Sequence, residues 1–258
     1  MEAKIIFEDE NLLVLDKPAG TIVNRSDTTK GEITLQDWIE KYLKIPNFEP
    51  QALSKLQVIN NNYEEQARLD FINRAGIVHR LDKETSGIIL IAKTVDAFIN
   101  LQSQFKERKV QKTYLALTHG KIEPEKGEIN VAVGRLPWNR KRFGVVAEGR
   151  ESVTEYKVLN IKYLMFGKNK ELLTLVELHP KSGRTHQIRV HLQYIKHPIF
   201  ADSLYAGRKT SKQDRKLLSR IFLHASKISF FHPKSNKLLK FENPLPPGLS
   251  GFLASLNS

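Results

Sequence analysis

Residues 79–87 read His-Arg-Leu-Asp-Lys-Glu-Thr-Ser-Gly, the stretch of this chain whose residue types are best suited to chemistry. Asp82 is a carboxylate two positions after Arg80, a fixed cation, with His79 alongside. Ile77-Val78 leads in and Ile88-Ile89-Leu90-Ile91-Ala92 leads out, both rich in the β-branched residues that suit buried strands. A loop held between two such strands is rigid, and rigid loops are where positioned groups sit. Spacing alone leaves an ordinary charged turn as an equal alternative. An aspartate has a reference pKa of about 3.9 and is already ionised at neutral pH, so Asp82 needs orientation more than activation.

The elements that must hold this loop are legible in outline. Ile5-Ile6-Phe7 and Leu12-Leu13-Val14-Leu15 read as two strands around the polar turn Glu8-Asp9-Glu10-Asn11, and Lys17-Pro18-Ala19-Gly20 stops the second. After Thr34, a cap residue, Leu35, Trp38, Ile39, Tyr42 and Leu43 recur at helical spacing, which places Trp38 in the core. Residues 46–75 read as an irregular surface excursion with room for a short helix. Ala97, Phe98, Leu101 and Phe105 mark an amphipathic helix over 96–106, and 111–118 alternates as a strand. Another strand covers 172–178. Ile188, Leu192 and Ile195 then predict a helix capped by Thr185 and stopped before Pro198. Strands follow at 222–223, 228–231 and 238–241, and Pro244, Pro246 and Pro247 close the chain. Strands outnumber helices without alternating with them, so the pattern predicts an α+β fold on a largely antiparallel sheet rather than parallel βαβ units.

Composition bounds the function. Lys plus Arg number 41 against 28 Asp plus Glu, a formal charge of +13. That excess points to an anionic partner. A membrane is the poorer candidate: no run approaches the roughly 20 apolar residues of a spanning helix, and Met1-Glu2-Ala3-Lys4 does not open a signal peptide. With no cysteine, disulfides, thiolate catalysis and cysteine-ligated zinc are excluded, and a reducing cytoplasmic setting is compatible. His186 and His191 are five apart, not the four of a helical metal pair, so no metal is expected.

The nine residues from His79 to Gly87 resemble the signature of the RluA-type pseudouridine synthases. Four other segments are similar to motifs of the same family, in order: 11–20 (NLLVLDKPAG), 112–116 (KTYLA), 183–191 (GRTHQIRVH) and 223–225 (LHA). The resemblance covers roughly residues 11–225. It implies one catalytic domain over 1–258, with a bent, largely antiparallel central sheet flanked by helices and an active-site cleft across it. Many members carry a small N-terminal RNA-binding domain; the expectation here is a stand-alone catalytic domain that works as a monomer without a small-molecule cofactor. The partner implied is RNA, ribosomal or transfer.

The resemblance implies that Asp82 is the catalytic aspartate, by attack on sugar or uracil or by a glycal route. It makes Tyr114 the active-site tyrosine, Leu223 the apolar residue beneath the base, and Arg80, with His79 beside it, the side chain that fills the gap left by an extruded uridine. Arg184 is the candidate to orient Asp82, because a guanidinium holds a carboxylate bidentately and this one precedes a predicted helix N-terminus. Arg189 is its competitor, expected to face solvent or phosphate. Three basic clusters are candidate RNA contacts: Lys106, Arg108, Lys109 and Lys112; Arg135, Arg140, Lys141 and Arg142, with Trp138 and Phe143 for stacking; and Arg208, Lys209, Lys212, Arg215, Lys216 and Arg220. At least one is expected to be only a solvated face.

Three rivals follow from the same residues. A catalytically inactive RNA-binding protein or RNA folding helper on this scaffold would explain the charge equally well, but it would not need Asp82, Tyr114 and Arg184 together. A kinase-like loop would place the aspartate directly after His-Arg and a glycine-rich loop upstream, and neither holds. A paired-carboxylate hydrolase has only Glu84 near Asp82, too close in the chain to oppose it.

Overall fold

A computed structural model describes residues 3–26, 29, 31–45, 63–166 and 169–257. The chain divides into two compact units. The first holds Met1–Lys83, Gly87–Val110 and Ser229–Lys240; the second holds Glu84–Ser86, Gln111–Ile228 and Phe241–Ser258.

In the first unit, β1 (Lys4–Glu8), β2 (Leu12–Lys17) and β3 (Ser86–Ala92) form an antiparallel meander, with Leu13 opposite Ile91 and Leu15 opposite Ile89. Leu12 to Leu15 and Ile88 to Ala92 are buried on both faces, which is why both strands read as unbroken apolar runs. Helix α1 (Leu35–Leu43) starts at a capping box: the Thr34 hydroxyl accepts from Asp37 N at 3.2 Å, and the Asp37 carboxylate accepts from Thr34 N at 2.7 Å. Its buried face is Leu35, Gln36, Ile39 and Glu40. Trp38, expected in the core, is only half buried and stacks on exposed Tyr42 at 5.0 Å between ring centroids, because Gln36 and Glu40 occupy the inward positions and bond to one another. Helix α2 (Tyr63–Asn73) supplies the short helix allowed for in 46–75; residues 46–62 lie outside the described residues. Helix α3 (Val95–Lys106), capped by Thr94, follows β3.

In the second unit the sheet runs in the order β10 (Leu223–Phe231, in this unit as far as Ile228), β4 (Gln111–His119), β9 (Asn169–Pro180), β8 (Val153–Phe166), β5 (Lys126–Asn130). β4, β9, β8 and β5 pair antiparallel, with Tyr114 opposite Leu178. β6 (Val133–Leu136) and β7 (Asn139–Val145) make a separate hairpin. Helices α4 (Gln187–Tyr194), α5 (Arg208–Asp214) and α6 (Pro247–Ser255) complete the unit; β11 (Leu238–Glu242), whose residues through Lys240 belong to the first unit, pairs with β10. A core of Ala116, Leu117, Val176, Leu178, Phe200, Phe222 and Leu223 packs under this sheet.

Candidate active site

Lys17, at the end of β2, is fully buried. Its ammonium donates to three carbonyls: Pro18 (2.9 Å), Thr21 (2.9 Å) and Lys83 (3.2 Å), giving each proton an acceptor. Gly20, at φ +88°, turns the chain back so that its own N–H also donates to Lys83 O at 2.8 Å. The carbonyl next to Asp82 is therefore held by two donors. Upstream, Gly76 at φ +71° lies so close to the end of β3 that a Cβ there would stand 2.0 Å from Ala92 O. His79 Nε2 accepts from Leu90 N at 2.9 Å and the ring lies 5.1 Å from Phe105, so this imidazole fastens the loop to β3. Leu81 is buried, Asp82 half-buried and Arg80 exposed. The loop is thus rigid, with its carboxylate partly open and its arginine outward.

The segment 183–191 is organised by its amides and rings. Gln187 Oε1 accepts from Ser182 Oγ (2.7 Å) and Arg184 N (3.1 Å), while its Nε2 donates to Val153 O and Thr154 Oγ1, both at 3.0 Å. The expected Thr185 cap is corrected: the helix N-cap is His186, in the left-handed region at φ 57°, with no side-chain capping bond, because Gln187 ties the turn from inside. Tyr205 Oη accepts from Phe143 N (3.2 Å) and lies at hydrogen-bond distance, 2.9 Å, from His186 Nδ1.

Arg189 is corrected too. Instead of facing solvent or phosphate it is buried, with Nε and Nη2 donating to the two oxygens of Asp202 at 2.7 and 2.8 Å. Asp202 in turn accepts from Leu204 N and Tyr205 N. His191 is buried as well. Ser152 Oγ donates to Val131 O (2.7 Å), so it must accept from His191 Nε2 (3.1 Å); Nδ1 is left bare and buried. Burial pulls this imidazole down to about 4. The Nε of Arg184, like Nδ1 of His191, is buried with no hydrogen-bond partner among the described residues. Arg184 lines a cleft of about 340 Å³ with Arg135, Arg150, Thr185, Phe143 and Glu148. Three guanidinium groups around one cleft suit a phosphate or carboxylate.

Tyr114 is half-buried on β4 and packs against the core that contains Leu223. Nearby in sequence, Lys112 donates to Ser182 O at 3.2 Å, and burial lowers its ammonium to about 8. Asp82, His79 and Arg80 thus belong to the first unit, and Tyr114, Arg184, Leu223 and Arg142 to the second.

The basic clusters divide. Arg142 does not reach outward: Nη2 donates to Leu204 O and the guanidinium lies 5.4 Å over the Tyr205 ring, because Tyr205 offers a face and Leu204 a free carbonyl. The side chains of Arg140 and Lys141 lie outside the described residues. Phe143, expected to stack on bases, is half-buried beneath Arg135, whereas Trp138 at the hairpin tip is 79% exposed. Arg215 and Arg220 bond to protein acceptors, while Arg208, Lys209, Lys212 and Lys216 are exposed. Of the residues that sequence reasoning missed, Lys17 carried a signal in the Lys17-Pro18 break after an apolar strand. Gln187, Asp202 and Tyr205 carried none, since their roles come from contacts across the fold. Among the described residues no group of three or more His, Asp or Glu stands ready to hold a metal, and no helix is long and apolar enough to cross a membrane.

Comparison with known proteins agrees with this architecture. A profile of the RNA pseudouridylate synthase family matches residues 11–194. A ribosomal large subunit pseudouridine synthase D from Nitrosomonas europaea is 36% identical over 99% of this chain, and the chain spans 65% of that protein's length. An uncharacterized RNA pseudouridine synthase of Mycoplasma genitalium is 34% identical over all of this chain and 71% of its own. The structure of human RNA pseudouridylate synthase domain containing 1 superposes with a TM-score of 0.69 at 25% identity, covering 97% of this chain and 87% of its own. The fold is that of a pseudouridine synthase, α+β with helices flanking the sheet, and the chain belongs to the RNA pseudouridylate synthase family.

Proposed function

We propose that this chain isomerises uridine to pseudouridine in RNA, with Asp82 as the catalytic carboxylate. The observation that carries the reading is the family match over residues 11–194, which takes in Asp82, Tyr114 and Arg184 together. The bond between N1 of uracil and C1′ of ribose breaks, the base turns, C5 joins C1′, the proton on C5 leaves, and N1 takes up a proton, so that the product is an isomer of the substrate. Asp82 starts this either by attack or by taking a ribose proton, and the two routes share its need for fixed orientation. Tyr114 stacks on the base and serves proton transfer after it turns. Arg184 supplies a fixed cation for Asp82 or for the phosphate beside the target. Leu223 lies beneath the base, and exposed Arg80 occupies the gap when the uridine leaves its stack.

RNA binding rests on the charge of +13 and on the hairpin with Trp138 at its tip. The chain path supports reading 1–258 as one catalytic domain, since it passes between the two units at 83/84, 86/87, 110/111, 228/229 and 240/241. We take it to act as a monomer in the cytoplasm without a cofactor. Relatives named for the ribosomal large subunit make that RNA the first substrate to try, with transfer RNA second. Tritium release from RNA labelled at carbon 5 of uridine tests this, because forming the new carbon–carbon bond expels that hydrogen. Release from large-subunit RNA is expected. RNA binding without release from either RNA would favour the inactive RNA-binding protein instead.

A further inference from the structure

Arg215 and Arg220 belong by sequence to a basic run that invites an RNA backbone, yet each gives side-chain donors to the chain just downstream of Asp82. Arg215 Nη1 and Nη2 donate to the two oxygens of Glu84 at 2.8 and 2.6 Å. Its Nε donates to Ala201 O (2.8 Å), and Nη1 also donates to Ser219 O (2.9 Å). Arg220 Nη2 donates to Ser86 Oγ (2.9 Å) and Leu223 O (3.0 Å), and its Nε to Ile221 O (3.2 Å). Ser86 Oγ is 2.9 Å from His224 Nδ1, and His224 Nε2 is 3.1 Å from Asn243 O.

The direction of every proton follows. A carbonyl only accepts, so His224 carries its proton on Nε2 and gives it to Asn243. In the neutral ring Nδ1 is then an acceptor, filled by the Ser86 hydroxyl, whose own oxygen is filled by Arg220. Ser86 and His224 are both buried, so the relay runs where unpaired polar groups are costly. Glu84 and Ser86 stand two and four residues after Asp82. A chain advances at most about 3.6 Å per residue, so a bidentate hold on Glu84 fixes the backbone within roughly 7 Å of the aspartate.

We propose that Arg215 and Arg220, through Glu84 and the Ser86–His224 relay, are positioning residues for the reaction: they hold the chain that aims the Asp82 carboxylate, and they are not RNA ligands. This rests on Asp82 being the catalytic carboxylate. A displacement of about 1 Å at a reacting group can cost on the order of a hundredfold in rate, so loosening this hold is read in turnover rather than in affinity.

The test compares Arg215→Ala, Arg215→Lys, Glu84→Gln and Ser86→Ala with wild type in the full chain, using tritium release for kcat and KM and RNA binding across a salt series. Asp82→Asn runs in parallel. Arg215→Ala is expected to lower kcat about tenfold or more, with KM and the salt slope unchanged, and Arg215→Lys to recover part of the loss. Glu84→Gln weakens the bidentate pair and Ser86→Ala removes the two bonds of the relay hydroxyl, neither emptying the core, and both are expected to lower kcat in the same way if Arg215→Ala folds poorly. A raised KM with a flattened salt slope and normal kcat would make these arginines phosphate contacts and overturn the inference. So would wild-type kinetics in all four variants alongside an inert Asp82→Asn. An active Asp82→Asn would instead remove the catalytic reading of Asp82 itself.

Discussion

Two segments of the second unit carry similar loads of basic residues and differ in what they present to solvent beside them. Residues 183–191 hold Arg184, His186, Arg189 and His191, and the β6–β7 hairpin holds Arg135, Arg140, Lys141 and Arg142. In the first segment nearly every polar group turns inward: Arg189 meets Asp202, His186 meets Tyr205, His191 meets Ser152, and Gln187 ties the turn. In the hairpin the base is anchored by Arg142 and Phe143, and the tip carries exposed Trp138. A basic residue's presence in the sequence therefore does not by itself make that residue an RNA contact. What decides is whether the fold brings a buried acceptor opposite the cation.

The sharpest way to break this contrast is at Arg189. Arg189→Ala leaves Asp202 buried with an uncompensated charge, and a loss of roughly 3–5 kcal/mol in unfolding free energy is expected from denaturant titration. A loss near zero would mean that Arg189 is held for a ligand and not for the fold. His191 gives the next effect. Its folded pKa, about 4, lies below the reference of about 6.5, so the unfolded chain takes up the proton first. The stability it contributes is whole above pH 6.5 and declines as pH falls through 4. Replacing His191 with Gln should remove that part of the acid dependence in melting curves. The reverse sign holds at His119, where burial opposes the charge but Asp214 and Glu171 raise it to about 9. Its contribution is whole below pH 6.5 and fades as pH rises through 9, and His119→Gln should flatten that alkaline decline. The smallest effect belongs to the hairpin tip. Trp138→Ala should weaken RNA binding by about 1–3 kcal/mol, the value of a base–aromatic stack, with no change in melting temperature. Equal binding would show the tip to be a bystander.

How much of this could be read from the sequence follows from where each signal lies. The Asp82 loop was legible because its flanking strands are buried on both faces and so appear as unbroken apolar runs. Helix α1 was legible from Thr34 and its stripe, although Trp38 was misplaced, since two polar residues hold the inward positions. Helix α5 left no trace: Arg-Lys-Thr-Ser-Lys-Gln-Asp has no apolar period. Helix α6 hid behind its prolines, though Pro247 at the first turn is a normal helix start. β8 escaped because a bulge between Val158 and Asn160 shifts its alternation halfway along. Of the candidate site, Asp82, Tyr114 and Arg184 stood out by motif. The partners that hold their surroundings, Lys17, Gln187, Asp202 and Tyr205, are defined by contacts across the fold and not by their neighbours in sequence.

The most direct test of Asp82 is single-turnover tritium release from large-subunit RNA labelled at carbon 5 of uridine, comparing wild type with Asp82→Asn at matched folding and RNA affinity. Wild type is expected to release label in step with pseudouridine formed, and Asp82→Asn to release none above background while binding RNA as well. Release by Asp82→Asn at the wild-type rate would contradict the assignment and place the chemistry on another group.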